Sequence, residues 1–389
     1  MRILILYPNL SMPFIWDELG AMGARATIVH APSKTIPAEL PFPHDDVPLD
    51  VHGDPDGAMA ALEELHRRER YEVLFTASEM CVLFCAQLGK RLGLPGIEPR
   101  SALLARDKAQ MRAAFRDAGL NTPAFTLDPS ADGTLPPHMR FPVVAKPISG
   151  FGSQGVARAN DEGELRTALQ VIREINQDSL DQLSDAKVGR FSGILVEEYI
   201  EGKEYAIDCF VQGGKVYVMC TCEKPDLPGP YFEEWSYISP ARLDEATMTR
   251  MLEEVAGGAL ALGLVDGAVH AEIRIRDGVP YLIEIGARIG GTGLAQFFTE
   301  TTTGVHFVKL VIDNLRGGAD VSGLPFAPRQ RGAAAAFIPL VGGGGKVAAF
   351  EGLEAVRSQP EVVHVAEFLK PGDVIPAWPK FNFYPAFVC

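Results

Sequence analysis

Hydrophobic and polar positions alternate along the chain with two different periods, and the changes of period mark out its parts. Over the first hundred residues the apolar runs RILILY, ATIVHA and EVLFTA are separated by helically spaced stretches, one from Trp16 to Met22 and one over GAMAALEELHRRER. Such a β-α-β rhythm predicts a parallel sheet covered by helices. A proline-rich loop from Ala31 to Pro55 interrupts it. The stretch SALLARDKAQMRAAFRDAGL then predicts one helix from about Ser101 to Gly119, followed by strands FPVVAKP and GVARA around a glycine-rich loop. Asp161 and Glu164 form a capping-box-like start for a helix to about Asn176, and the polar segment 177–190 shows no strong period. The runs ILVEEYI, EYAIDCFV and KVYVMCTCE read as strands, before an aromatic-rich loop, PDLPGPYFEEWSYISPA, and a long helix from about Asp244 to Gly263. Beyond Val321 the pattern is strand, glycine turn, helix, strand, and the terminal FNFYPAFVC reads as a strand laid into an existing sheet.

The most informative stretch is VHAEIRIRDGVPYLIEIGAR, residues 269–288, which reads as a β-hairpin. In its first arm His270, Glu272 and Arg274 share one face, and Val269, Ala271, Ile273 and Ile275 the other. In its second arm Leu282, Glu284, Gly286 and Arg288 alternate with Tyr281, Ile283, Ile285 and Ala287. Asp277-Gly278 marks the turn. A three- or five-residue loop centred on Gly278 sets Glu272 directly opposite Glu284, whereas a two-residue turn offsets them. Facing carboxylates with Cβ atoms roughly 5 Å apart destabilise a sheet unless a cation lies between them or one takes up a proton. A divalent metal meets that need; a solvated outer face with scattered charges is the other explanation.

Composition narrows the classes. The formal charge of −14 argues against non-specific nucleic-acid binding, which depends on Lys and Arg neutralising phosphates. No apolar run approaches the roughly 18 residues of a membrane span, so no membrane is expected. The start RILILY-Pro8 lacks the features of a secretory signal, and a cytoplasmic location is expected. The six cysteines lack zinc-ribbon spacing and fall in apolar patterns such as CVLFC and YVMCTC, which predicts buried free thiols. No G-x-G-x-x-G follows the first strand, where Tyr7-Pro8-Asn9 stands, and the glycines 342–345 read as a turn because Val347, not Ser or Thr, follows Lys346.

Candidate chemistry precedes the hairpin. Lys108 lies on a helix that also offers Arg106 and Arg112. Lys146 ends the apolar strand FPVVAK with no acidic neighbour, which calls for an anion. The loop SGFGSQGVA after it, with Gly150, Gly152 and Gly155, precedes a strand rather than a helix, as phosphate-covering loops between two strands do. LVEEYIEGKEY puts Glu197, Glu198, Tyr199 and Ile200 at the end of a strand, with backbone groups for an adenine edge, and Glu204 beyond them for ribose hydroxyls.

In this order, a helix lysine, a strand-end lysine, a glycine lid, E-E-Y-I with G-x-E-Y, H-x-E and E-x-G-x-R, the chain resembles the ATP-grasp superfamily. The resemblance implies a mixed α/β and α+β architecture: a Rossmann-like pre-ATP-grasp domain over 1–100, an ATP-grasp core over 101–315 whose lid lobe spans about 135–200, and a C-terminal α+β portion over 316–389. It implies Lys108 and Lys146 on ATP phosphates, a lid including Ser149, Gly152, Ser153 and Gly155, Glu197 to Ile200 at adenine, Glu204 at ribose, and Glu272 and Glu284 on magnesium, or manganese in its place. Arg288 falls where the family keeps an arginine that stabilises the acyl phosphate and tetrahedral intermediate, and His270 shares its face as a catalytic or a structural group. The family's usual Asn, two residues past the second metal glutamate, is Gly286 here. Within the superfamily PYFEEWSYISPA and EIGARIGGTG look most like the L-amino acid ligase type. That implies a carboxylate-amine ligase for small substrates, with Tyr231, Trp235, Gly290 and Gly291 lining pockets or, for the two aromatics, filling core, and a homodimer by base rate. Biotin-type carboxylation, ligation to a thiol, steps of ribonucleotide synthesis and non-catalytic nucleotide binding are the alternatives.

Overall fold

A computed structural model describes residues 1–10, 12–182, 193–227, 229–324, 331–338, 344–375, 377, 380 and 384–389. The first sheet is parallel, in the order β3-β2-β1-β4, from β1 (Arg2–Leu6), β2 (Arg25–His30), β3 (His44–Pro48) and β4 (Val73–Phe75), with α1 (Pro13–Ala21) and α2 (Pro55–Glu69) between them. Strands β1, β2 and β4 are almost wholly apolar because both faces are covered. Ile3, Ile5 and Ile28 pack with Trp16 and Leu19, while Leu4, Leu6 and Val29 pack with Leu62 and Phe84. Strand β3 lies inside the segment expected to be a loop: His44–Pro48 pairs with Ala26–His30, an edge whose own side chains are largely exposed and so leave no apolar run.

Helix α3 (Val82–Leu92) leads into α4 (Pro99–Arg106) and α5 (Lys108–Asp117). The single helix expected over 101–119 is broken at Asp107, whose backbone is extended and whose carboxylate accepts from the N–H groups of Ala109 and Gln110 at 2.9 and 3.0 Å. Asp107 with Gln110 is an N-cap signal read from the start of a second helix. Lys108 therefore stands in a first turn, not mid-helix.

A second, antiparallel sheet runs β5-β8-β6-β7, from β5 (Phe125–Leu127), β6 (Val143–Pro147), β7 (Ala157–Ala159) and β8 (Ile194–Glu198), one face covered by α6 (Glu162–Gln182). Of the polar segment 177–190, the helix takes residues to Gln182 and 183–190 lie outside the described residues.

The third sheet has eight strands. It contains β9 (Lys203–Gln212), β10 (Lys215–Glu223), β11 (Ser236–Ser239), β12 (Gly267–Arg276), β13 (Val279–Gly286) and β14 (Ala333–Phe337), and beyond a small ladder of β15 (Gly345–Lys346) with β17 (Val374–Ile375) it takes in β16 (Val365–Glu367) and β18 (Ala386–Val388). Its order is β13-β12-β9-β10-β11-β14-β18-β16, so the terminal strand is laid between two others. Helix α7 (Glu245–Ala261), capped by Asp244, packs Met251 and Val255 with Met111 and Phe115 of α5 against Ile207, Ile273 and Ile285. The helices α8 (Leu294–Thr303) and α9 (Phe307–Leu315) follow the hairpin, and a short α10 (Leu353–Arg357) precedes β16. Residues 339–343, which include the first part of the glycine turn, lie outside the described residues. All six cysteines are free and five are buried. Among the described residues no helix is long and apolar enough to cross a membrane.

Candidate functional site

The hairpin β12–β13 brings Glu272 opposite Glu284, by a route different from the expected loop. The turn has two residues: Arg276 pairs with Val279, and Asp277 and Gly278 take φ of 52° and 76°, the left-handed pair of a type I′ turn. That turn alone would leave Glu272 one place out of register. A β-bulge at Ile283 inserts the missing residue, so the pairing changes from Ile273–Leu282 to Glu272–Glu284. The bulge also reverses the phase of the second arm on its turn side. Leu282, expected beside Glu284, is buried in the core with Ile273 and Ile285, and Tyr281, expected on the core face, stands opposite Arg274.

Each of the facing carboxylates has a lysine. Lys108 Nζ donates to Glu284 Oε1 at 2.9 Å and to the Gly150 carbonyl at 3.3 Å, so the lysine touches both the hairpin and the glycine-rich loop. Lys224, fully buried just after β10, donates to Glu272 at 2.9 Å, to Glu204 at 2.7 Å and to Glu234. Burial pulls the Glu272 carboxyl upward, but Lys224 and His270 outweigh it and hold it at about 2; burial lifts Glu234 above the ordinary carboxylate range in spite of Lys224. Glu204, Glu234 and Glu272 bring carboxylate oxygens within 4.8 Å of one another around that ammonium. Like charges on the hairpin are thus balanced here by lysines from α5 and from the end of β10. A divalent cation fits the same face by donor chemistry, since carboxylate oxygens are the hard ligands magnesium takes.

Lys146 has an acidic partner that the local sequence does not show. Its Nζ lies 2.5 Å from Glu197 Oε1, and Arg112 Nε donates to Glu197 Oε2 at 2.9 Å, all three side chains being buried. Burial pulls the Lys146 ammonium below its ordinary range and Glu197 only partly restores it. Within the segment expected at adenine, Glu197 therefore points its carboxylate inward. Glu198 pairs with Arg276 at 2.7 Å, Tyr199 donates its N–H to Pro142, and Ile200 is buried. Glu204 accepts from Lys224 and, at 3.2 Å, from Arg274, whose guanidinium also reaches Tyr199 Oη and the Gly202 carbonyl.

Arg288 lies beside Glu79, with Nε 2.5 Å from Oε2. Glu79 follows β4, and its other oxygen accepts from Arg106 at 3.0 Å; Arg106 in turn donates to Ser149 Oγ at 2.9 Å at the start of the glycine-rich loop. In that loop Gly152, Ser153 and Gly155 all take positive φ. A Cβ at Gly286 would lie 3.2 Å from Glu79 Oε2, so the glycine leaves the room through which Glu79 reaches Arg288. His270 Nδ1 lies 3.1 Å from Asp208 Oδ2, and Asp208 Oδ1 accepts from the Gly290 N–H at 2.9 Å. A Cβ at Gly290 would fall 2.3 Å from His270 Nδ1, which is why glycine stands there; Gly291 follows in the same 3-10 turn. Burial pulls the His270 imidazole down, and Asp208 more than offsets it, leaving it above its ordinary value. Tyr231 and Trp235 are roughly half exposed, not core, and Tyr231 bridges to Ala157 on β7.

Sequence reasoning missed Glu79, Asp208, Lys224 and Glu234. Two had signals: Lys224 directly follows a largely apolar strand, and Asp208 interrupts the apolar run EYAIDCFV.

Comparison with known proteins follows the same lines. Residues 139–296 match the model of an ATP-grasp domain, and residues 18–96 that of an ATP-grasp N-terminal domain. A solved L-amino acid ligase from Bacillus licheniformis superposes with a TM-score of 0.90 at 32% identity, over all of this chain and 92% of that one. Carnosine synthase 1 of Mus musculus is 25% identical over 83% of this chain and 40% of its own length. Alanine–anticapsin ligase of Bacillus subtilis (strain 168) is 27% identical over 64% and 55%. The chain thus spans about half the length of these two curated relatives.

Proposed function

The chain belongs to the ATP-grasp superfamily, and on that premise we propose that it is an ATP-dependent carboxylate-amine ligase, joining amino acids or small amino-acid-like substrates into an amide or peptide. The observation that carries this reading is the pairing of Glu272 with Glu284 on a face that also bears Lys108, Lys224 and Arg288. Cations and carboxylates gathered in this way suit a triphosphate and an anionic transition state.

A substrate carboxylate oxygen attacks the γ-phosphorus of ATP, and ADP leaves with the electrons of the broken P–O bond. The acyl phosphate so formed is attacked at its acyl carbon by an amine nitrogen, which loses a proton as phosphate departs. Lys108 and Lys146 hold phosphate oxygens, the lid over 149–155 covers them, Glu197 to Ile200 flank adenine and Glu204 the ribose. Arg288 stabilises the oxyanion of the tetrahedral intermediate, with His270 beside it. Magnesium, or manganese in its place, would be held by Glu272 and Glu284 and would neutralise phosphate charge. Tyr231, Trp235, Gly290 and Gly291 border the two substrate pockets. A cytoplasmic homodimer, with the division at about residues 100 and 315, completes the proposal. The presence of Arg288 together with both glutamates favours turnover over nucleotide binding alone.

The test is phosphate release over a matrix of amino-acid pairs, with products identified by mass. Amide products and stoichiometric ADP are expected. ATP bound tightly without turnover across the matrix, or hydrolysis that requires bicarbonate and biotin, would overturn the proposal.

A further inference from the structure

We infer that Arg112 is a positioning residue that ties the phosphate side of the site to its metal side, an inference that rests on the functional reading above. Arg112 lies in the second turn of α5 with none of its surface exposed. Its guanidinium holds two things at once. Nε and Nη2 grip the two oxygens of Glu197 on β8, at 2.9 and 3.3 Å, and Nη2 also donates to the carbonyl of Ile283 on β13.

Both partners matter to the site. Glu197 is the carboxylate on which Lys146 is seated, 2.5 Å away. Ile283 is the extra residue of the bulge, the position a bulge leaves outside the regular ladder. Since the two-residue turn alone would put Glu272 out of register with Glu284, the bulge is what makes those carboxylates face each other. A planar fork with fixed donor directions can grip both oxygens of a carboxylate while it pins a carbonyl from a different sheet; a lysine, a compact point charge on a flexible stem, lacks that fixed fork.

Stability is a poor explanation for this arrangement. Arg112, Lys146 and Glu197 are buried as two cations against one carboxylate, and Arg112 Nη1 has no hydrogen-bond partner among the described residues. Buried ion groups of this kind are commonly no more stabilising than apolar side chains of the same volume. A buried, incompletely satisfied arginine that bridges two sheets at the site is placed there for alignment.

The test uses the full-length protein with Arg112→Lys and Arg112→Gln. Folding is checked by circular dichroism, and Mn²⁺ binding in the presence of ADP is followed by electron paramagnetic resonance, which requires no turnover. Either folded variant should bind Mn²⁺–ADP about 10-fold or more weakly, as loss of an orienting partner typically does. The KM for ATP should rise in parallel and the amino-acid KM should stay near the wild-type value, a split that mere loss of folded protein does not produce. Folded variants that bind Mn²⁺–ADP as the wild type does would overturn the inference, and so would the failure of both to fold, which would assign Arg112 to the core. Wild-type protein that does not bind Mn²⁺–ADP would instead sink the functional reading.

Discussion

Arg288 and Glu79 form an ion pair across 209 positions of sequence, Nε to Oε2, and so join the end of the carboxylate hairpin to the segment that follows the first parallel sheet. The pair sets a pH dependence. Burial favours the neutral acid, but Arg288 and Arg106 outweigh it and hold Glu79 at about 2, below its ordinary 4.5. A carboxyl depressed in the folded state contributes stability that is complete above its unfolded value and disappears as pH falls through the folded one. Glu79→Gln should therefore lower stability relative to wild type at pH 7, with a difference that narrows below about pH 4.5 and closes toward pH 2. Urea melts of both proteins at pH 7 and pH 3 measure it; an equal gap at the two values would rule out this coupling.

Arg288 itself is expected to act on the transition state. Arg288→Ala should lose about 3 kcal/mol of transition-state stabilisation, roughly 100-fold in kcat/KM, with the loss in kcat. Steady-state phosphate release checks this, and a change of only a few fold would remove the oxyanion role.

Glu284 is paired with Lys108 and faces Glu272. Glu284→Gln keeps the shape but removes a charged oxygen ligand, and turnover should fall by about 100-fold or more while the fold persists. Near-normal rates at saturating magnesium would count decisively against the metal assignment.

Gly290 leaves no room for a side chain: a Cβ would sit 2.3 Å from His270 Nδ1 and 2.5 Å from Asp208 Oδ1. Gly290→Ala should cost about 1–3 kcal/mol by overpacking, read as a lower Tm. Activity should fall as well, because the imidazole must shift to make space. A variant with wild-type Tm would mean that the loop and the histidine are not in contact.

Much of the architecture is local in origin. Continuous apolar runs gave three strands of the parallel sheet and alternating runs the hairpin β12–β13, and the Asp161, Glu164 and Asp244 caps begin helices where they are expected, because capping is settled within four residues. Strand β3 and the break at Asp107 were harder to see: an exposed edge strand needs no apolar pattern, and an N-cap inside a long helical pattern looks like an ordinary polar position. The order of the motifs was enough to indicate the superfamily without any knowledge of distances.

The chain's own pattern determined that two glutamates lie on adjacent arms of one hairpin and that glycines and lysines precede them. Only the tertiary structure decided how they meet. A side chain's face is fixed by counting residues until a bulge intervenes, and the bulge at Ile283 has no signature in the alternation of apolar and polar positions. The cations that balance the two carboxylates, Lys108 across 176 positions and Lys224 across 48, come from other elements altogether. Charge pairing depends on distance in space, and separation along the chain carries no record of it.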